Sequence, residues 1–245
     1  MDSEQYMDDS IFDAYAPMIR EWDERTKVPP DVLPGCQLSR DVEAQTPELA
    51  WTALVASVDN LAALLKLYEH ESQEFHEMAT FVIARAPILA ASTAYWLLSP
   101  TKYQRRISRG LSLLESNLTN IEAFQAPLLK DNDQTSMQLE HEINRERTRI
   151  AEQRKKFGLV PKEKPTDTWI VGDVSRILEK DDRCSHMQVL GLWRLCSGHA
   201  HAMRWAAKMP KPANPYTAMN DLMGVGVALT HATFELWDQR THVPS

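Results

Sequence analysis

Apolar residues recur every three to four positions along most of this chain, and the repeats predict helices. Trp51, Leu54, Val55, Val58, Leu61, Leu64, Leu65 and Tyr68 hold the helical period over several turns, so a long helix is predicted from Thr46 to about Glu71. Thr46 stands where an N-cap belongs, and Pro47 takes the first helical position, where its missing N–H costs nothing. A second helix is predicted from about Gln73 to Leu98. It stops at Ser99-Pro100, because the residue before a proline is pushed out of the helical region. A third runs from about Thr101 to Leu129. Over 131–158 the charges alternate, with Glu142 and Arg145, and Glu146 and Arg149, spaced to pair across one turn of a solvent-facing helix. A short helix at about Asp173–Lys180, a central one at His186–Met209 and a last one at Thr217–Arg240 complete the set.

Ahead of these, Ile11, Phe12, Tyr15, Met18, Ile19 and Trp22 recur at helical spacing among acids, and the stretch TKVPPDVLPG that follows has three prolines and a glycine. The predicted organisation is an all-α chain. An N-terminal amphipathic arm and proline-rich linker occupy 1–45, and one bundle of about six helices around a single core occupies 46–245. The arm must dock its apolar face on the body, on a second subunit, or on a protein partner through residues 10–22.

Composition narrows this picture. The chain has 245 residues, 43% of them hydrophobic and only 8 glycines, which favours a helical globular fold with a substantial core. A net charge of −7 argues against coating nucleic acid by bulk electrostatics and leaves room for a local basic groove. Cys36, Cys184 and Cys196 make no paired framework, and the first residues, MDSEQYMDDS, are acidic where a signal peptide is basic; a reducing cytoplasm is expected. Met78–Leu98 is nearly long enough to cross a bilayer, but Arg85 lies inside it with Pro87 two residues on, so a buried core helix and no membrane association are expected. Lys102, Arg105, Arg106 and Arg109 crowd the start of the third helix, where cations oppose the macrodipole. They are expected to be solvated or to serve an anionic partner.

The densest chemistry is in LWRLCSGHAHAMRW, Leu192–Trp205. On a helix Arg194 and His201 lie on nearly one line, about 10 Å apart along the axis. Ser197, Gly198 and Trp205 fall on or beside that line, whereas Cys196, His199 and Met203 form a stripe rotated away from it. Arg85, in its apolar run, needs a carboxylate, carbonyls or a bound phosphate as partner, and the Arg194–His201 face is the candidate wall of a shared pocket. Cys184, His186, Cys196, His199 and His201 carry zinc-type donor atoms, but their spacing fits no standard structural site. No metal or cofactor is expected. Phosphate-binding glycine loops, a Gly-x-Ser-x-Gly elbow and Glu-x-x-His pairs are absent, which excludes the enzyme classes built on them.

The string WRLCSGHAH, with Arg194 followed by His199 and His201, resembles the Arg-x4-6-His motif of the HEPN superfamily of small helical bundles. The segment RAPILAASTAYWLLSP, Arg85–Pro100, and the Ser-Gly-x-x-His of Ser197–His201 are similar to a poorly characterised bacterial and phage group of that superfamily. The resemblance implies metal-independent RNA cleavage, in a toxin or antiphage setting, by motifs that face each other across a homodimer. RNA carries its own 2′-hydroxyl nucleophile, so His201 would handle the proton and Arg194 the phosphorane charge, with Ser197 and Arg85 supporting and His199 as the competing histidine. Two departures stand against activity. Leu195 occupies the position after the arginine that is commonly polar, and no acid follows Arg85. Members without activity act as interaction or regulatory bundles, which is the alternative reading.

Overall fold

The computed structural model describes residues 9–68, 77–125, 134–160, 165–210 and 215–243. Among them are nine α-helices, two short 3-10 helices and no strand. The all-α class holds, and the helix number exceeds the expected six. In chain order the helices are α1 Asp9–Thr26, α2 Thr46–Tyr68, α3 Glu77–Leu98, α4 Tyr103–Gln125, α5 Gln134–Lys156, α6 Asp167–Lys180, α7 His186–Ala200, α8 Arg204–Ala207 and α9 Pro215–Thr241. The expected extensions of the first three body helices over 69–71, 73–76 and 126–129 lie outside the described residues.

The chain divides differently from the expected arm and body. One compact unit comprises Met1–Asp31, Ala50–Trp96 and Thr166–Gln239, and a second comprises Val32–Leu49, Leu97–Pro165 and Arg240–Ser245. There are therefore two cores instead of one.

In the first unit α2, α3 and α9 meet through small residues. The ideal Cβ position of Gly226 lies 3.0 Å from Leu61 and 3.6 Å from Pro87, so α9 approaches this closely only because it carries a glycine there. The same seam is tied by buried hydroxyls. Ser57 donates to the Pro87 carbonyl at 3.2 Å and pairs with Thr230 Oγ1 at 2.8 Å, and Thr233 donates to the Ala91 carbonyl at 3.2 Å. Leu54, Val58, Leu61, Leu64, Ile88 and Leu229 fill the space around these bonds. Thr46–Leu67 and Met78–Leu98 are each long and apolar enough to cross a membrane, and both contribute residues to this packing. The arm helix α1 is spent here as well. Ile19 and Trp22 are 0% and 5% exposed, the Trp22 ring lies 5.6 Å from Phe234, and Arg25 pairs with Asp238 while capping the Phe234 ring at 4.5 Å.

The second unit is organised by arginines. Ala44, Ile107, Leu111, Leu118, Ile143 and Ile150 form its apolar cluster. Arg106, expected at the surface, is 1% exposed: it pairs with the fully buried Asp41 and donates to the carbonyls of Pro100 at 2.9 Å, Thr101 at 3.1 Å and Gln37 at 2.9 Å. Arg240 donates to the carbonyls of Leu98 and Ser99, and Arg109 to the Ser99 hydroxyl. Of the cations at the start of α4, Arg106 thus serves carbonyls of the turn after α3 and Arg109 a hydroxyl there, Lys102 and Arg105 stay exposed as expected, and the Leu98 carbonyl at the end of α3 is met by Arg240 of α9. Burial pushes the Asp41 carboxyl above its ordinary range, with the Arg106 hydrogen bonds pulling the other way. On α5 the Glu146–Arg149 pair forms as expected, and Arg149 also donates to the Glu43 carbonyl at 3.1 Å. The helix is not wholly solvent-facing, because Ile143, Ile150 and Arg154 are buried, Arg154 against Glu115 at 2.7 Å.

Candidate functional site

The candidate site belongs to the first unit and is built on the α6–α7 hairpin. α6 starts at Asp167, earlier than expected, because the Thr166 side chain accepts from the Trp169 N–H at 3.2 Å and caps it. The helix ends in a Schellman turn: Asp182 adopts φ 53°, its N–H reaches the Glu179 carbonyl, and the Arg183 N–H reaches that of Leu178. Ser185 caps α7, which returns antiparallel to α6. Near its start His186 Nδ1 pairs with Ser175 Oγ at 2.7 Å, and further along the helix Trp193 Nε1 donates to Thr168 Oγ1 at 3.2 Å.

The single central helix expected over His186–Met209 is broken at Ala200. Ala202 takes φ 51°, its N–H donates to the His199 carbonyl at 3.0 Å, and the Met203 N–H donates to that of Gly198 at 2.8 Å, a second Schellman turn with His201 as the C-cap. The reversal lays α8 on the end of α7. An ideal Cβ on Gly198 would stand 2.6 Å from Trp205 Cζ2 and 2.9 Å from Ala206 Cβ, so this glycine is where the indole rests. No propensity of Ala202 announces the break. It is fixed by the packing of Trp205 on a residue without a side chain.

The two faces of α7 have different fates. Val189, Trp193, Cys196 and His199 are buried. Arg85 of α3 lies against this side, its guanidinium 4.7 Å from the Trp193 ring and 3.4 Å from Asp167, so the apolar-run arginine is explained by an ion pair and a cation–π contact. One turn earlier on α3, Phe81 stacks on His199 with centroids 4.5 Å apart and planes 12° from parallel. His199 Nδ1 finds no hydrogen-bond partner among the described residues. Burial pushes the Cys196 thiol up to about 12, with the Arg85 charge pulling it down, so it stays protonated at neutral pH.

Arg194 and His201 stand on the other face, both exposed and neither engaged by a hydrogen bond or ion pair among the described residues; Ser197 is half-buried beside them. The structure therefore brings Arg194, Ser197 and His201 to one side of α7 and places Arg85 and His199 on the other. The expected sharing of a wall between Arg85 and Arg194 is not met, because Trp193 and Asp167 capture the guanidinium first. Of the zinc-type donors, His186 is bonded to Ser175, Cys196 is buried and His201 is in solvent. Among the described residues no three His, Cys, Asp or Glu side chains gather in ligand geometry.

Gly198 lies between Arg194 and His201 along α7, so the Trp205 indole occupies the strip that separates them. Trp193 and Trp205, which look alike in sequence, differ fully: the first is 1% exposed and the second 46%. A further signal was legible in the chain. Between Asp182 and Asp221 there is no acidic residue, while Arg183, Arg194, Arg204, Lys208 and Lys211 fall in that run. Arg183 is held by Glu235, but Arg194, Arg204 and Lys208 are exposed and unpaired among the described residues.

Fold and site together define an all-α protein whose α7–α8 turn carries exposed cations, a histidine and a half-open tryptophan. No family model, curated protein or solved structure matches the chain.

Proposed function

We propose that the chain is a HEPN-type, metal-independent endoribonuclease acting as a homodimer in the cytoplasm, in a toxin or antiphage setting. One observation carries this reading. Arg194 and His201, the two residues the chemistry requires, are the members of the candidate set left in solvent without a partner among the described residues. The guanidinium offers a planar fork to phosphate oxygens, and an imidazole can take a proton from a 2′-hydroxyl and return one to a leaving oxygen. Because the indole lies between them on one helix, the arginine of one copy and the histidine of another are the groups that would meet on a single phosphate.

The alternative is a non-catalytic interaction bundle. It is favoured by Met187, Met203 and Trp205 being exposed around the same helix pair and by Arg85 being withheld from the site. The test is incubation of wild type, Arg194→Ala and His201→Ala with total RNA in the presence of chelator, with products sized on a denaturing gel. Cleavage by wild type alone is expected. Equal inertness of all three proteins sinks the nuclease and leaves the module.

A further inference from the structure

Three features of the α7–α8 turn occur together. The run from Arg183 to Asn220 carries five Lys and Arg residues and no acid, on a chain of net charge −7. Arg194, Arg204 and Lys208 project from it unpaired among the described residues. Among these cations sits Trp205, whose benzo edge is held on Gly198 while nearly half of the side chain stays open.

We infer that Trp205 is a base-stacking platform for single-stranded RNA, flanked by Arg194, Arg204 and Lys208 as phosphate contacts. The choice of RNA among polyanions rests on the function proposed above; the binding itself requires no cleavage. An unpaired base exposes a π-face of either purine or pyrimidine, so a half-open indole in a segment rich in exposed cations accepts a strand irrespective of sequence. A duplex hides those faces and would engage the cations alone. The Schellman turn at Ala202 makes the platform rigid, since its two backbone bonds and the Gly198 contact hold the indole before any ligand arrives.

The full-length chain is titrated into a labelled single-stranded RNA of about twelve nucleotides and mixed sequence, a length within the site size of one strand-binding module, and followed by anisotropy. A duplex of the same sequence and a polyglutamate peptide are run in parallel, and circular dichroism checks every variant. Trp205→Ala is expected to weaken single-strand binding by about tenfold to a hundredfold, with Trp205→Phe recovering most of it. Arg204→Ala with Lys208→Ala is expected to lower the slope of log affinity against log salt by about 0.7 for each phosphate no longer neutralised. Should Trp205→Ala fold incorrectly, Trp205→Phe and the preference for single strand over duplex still decide the matter. Unchanged affinity in Trp205→Ala, equal binding of duplex, or polyglutamate binding as tight as RNA each overturns the inference. Failure to cleave RNA that is nonetheless bound through Trp205 removes the nuclease alone, and cleavage with Trp205 indifferent removes the platform alone.

Discussion

The two units of this chain differ in their buried arginines, although each also carries solvent-facing ones, such as Arg105 and Arg145 in the second. In the second, Arg106 and Arg240 are given carbonyls, and Arg106 a carboxylate as well, until little of their donor capacity is free for a ligand, while the buried Arg154 meets Glu115 through one nitrogen. In the first, Arg194 and Arg204 are left in water, and Arg85 stands between the extremes, half-buried with one carboxylate and one ring. A buried guanidinium is expensive to strand, so the first kind belongs to the fold. A solvated guanidinium costs the fold nothing to lose, so the second kind is where function has to be sought.

The contrast is most exposed to failure at Arg106. Arg106→Ala would leave Asp41 without its cation inside a closed unit, and a loss of about 3–5 kcal/mol is expected in urea unfolding. Arg194→Ala, measured beside it, should move stability by less than about 0.5 kcal/mol. Equal losses would break the distinction. A smaller effect tests the turn that shapes the site. Ala202 holds a left-handed φ of 51°, so Ala202→Gly should stabilise by about 0.5–1 kcal/mol, raising the melting temperature by about 2–4 °C per kcal/mol for a chain of this length. A fall instead would show that the left-handed backbone at this position carries no strain for a glycine to relieve. Smallest is the half-buried Glu146–Arg149 pair. Its hydrogen bonds from Arg149 hold the Glu146 carboxyl below the ordinary range, so its contribution is present above the unfolded value and is lost as pH falls through the lower folded one. Wild type and Glu146→Gln should differ by a few tenths of a kcal/mol at neutral pH and converge in acid, below the folded value. A difference that persists there would remove the ion pair as its cause.

Much of the fold was legible because the apolar period of α2, the helix start at Thr46 and the stop at Pro100 are local signals. The site was legible only in part. Arg194 and His201 share a face by helical arithmetic alone, whereas Arg85 and His199 depend on which neighbour reaches them first. Asp167 and Phe81 are 82 and 118 positions away from the groups they meet.

By itself, the sequence determined an all-helical chain, the places of its long helices and the shared helical line of one guanidinium and one imidazole, because each follows from spacing within a few turns. Tertiary structure alone decided that there are two cores, that Arg106 is interior, and that the helix carrying the motif stops at Ala200 and folds Trp205 back over Gly198. The reason is that partners distant along the chain, and the room a missing Cβ leaves for them, are not written in any local window.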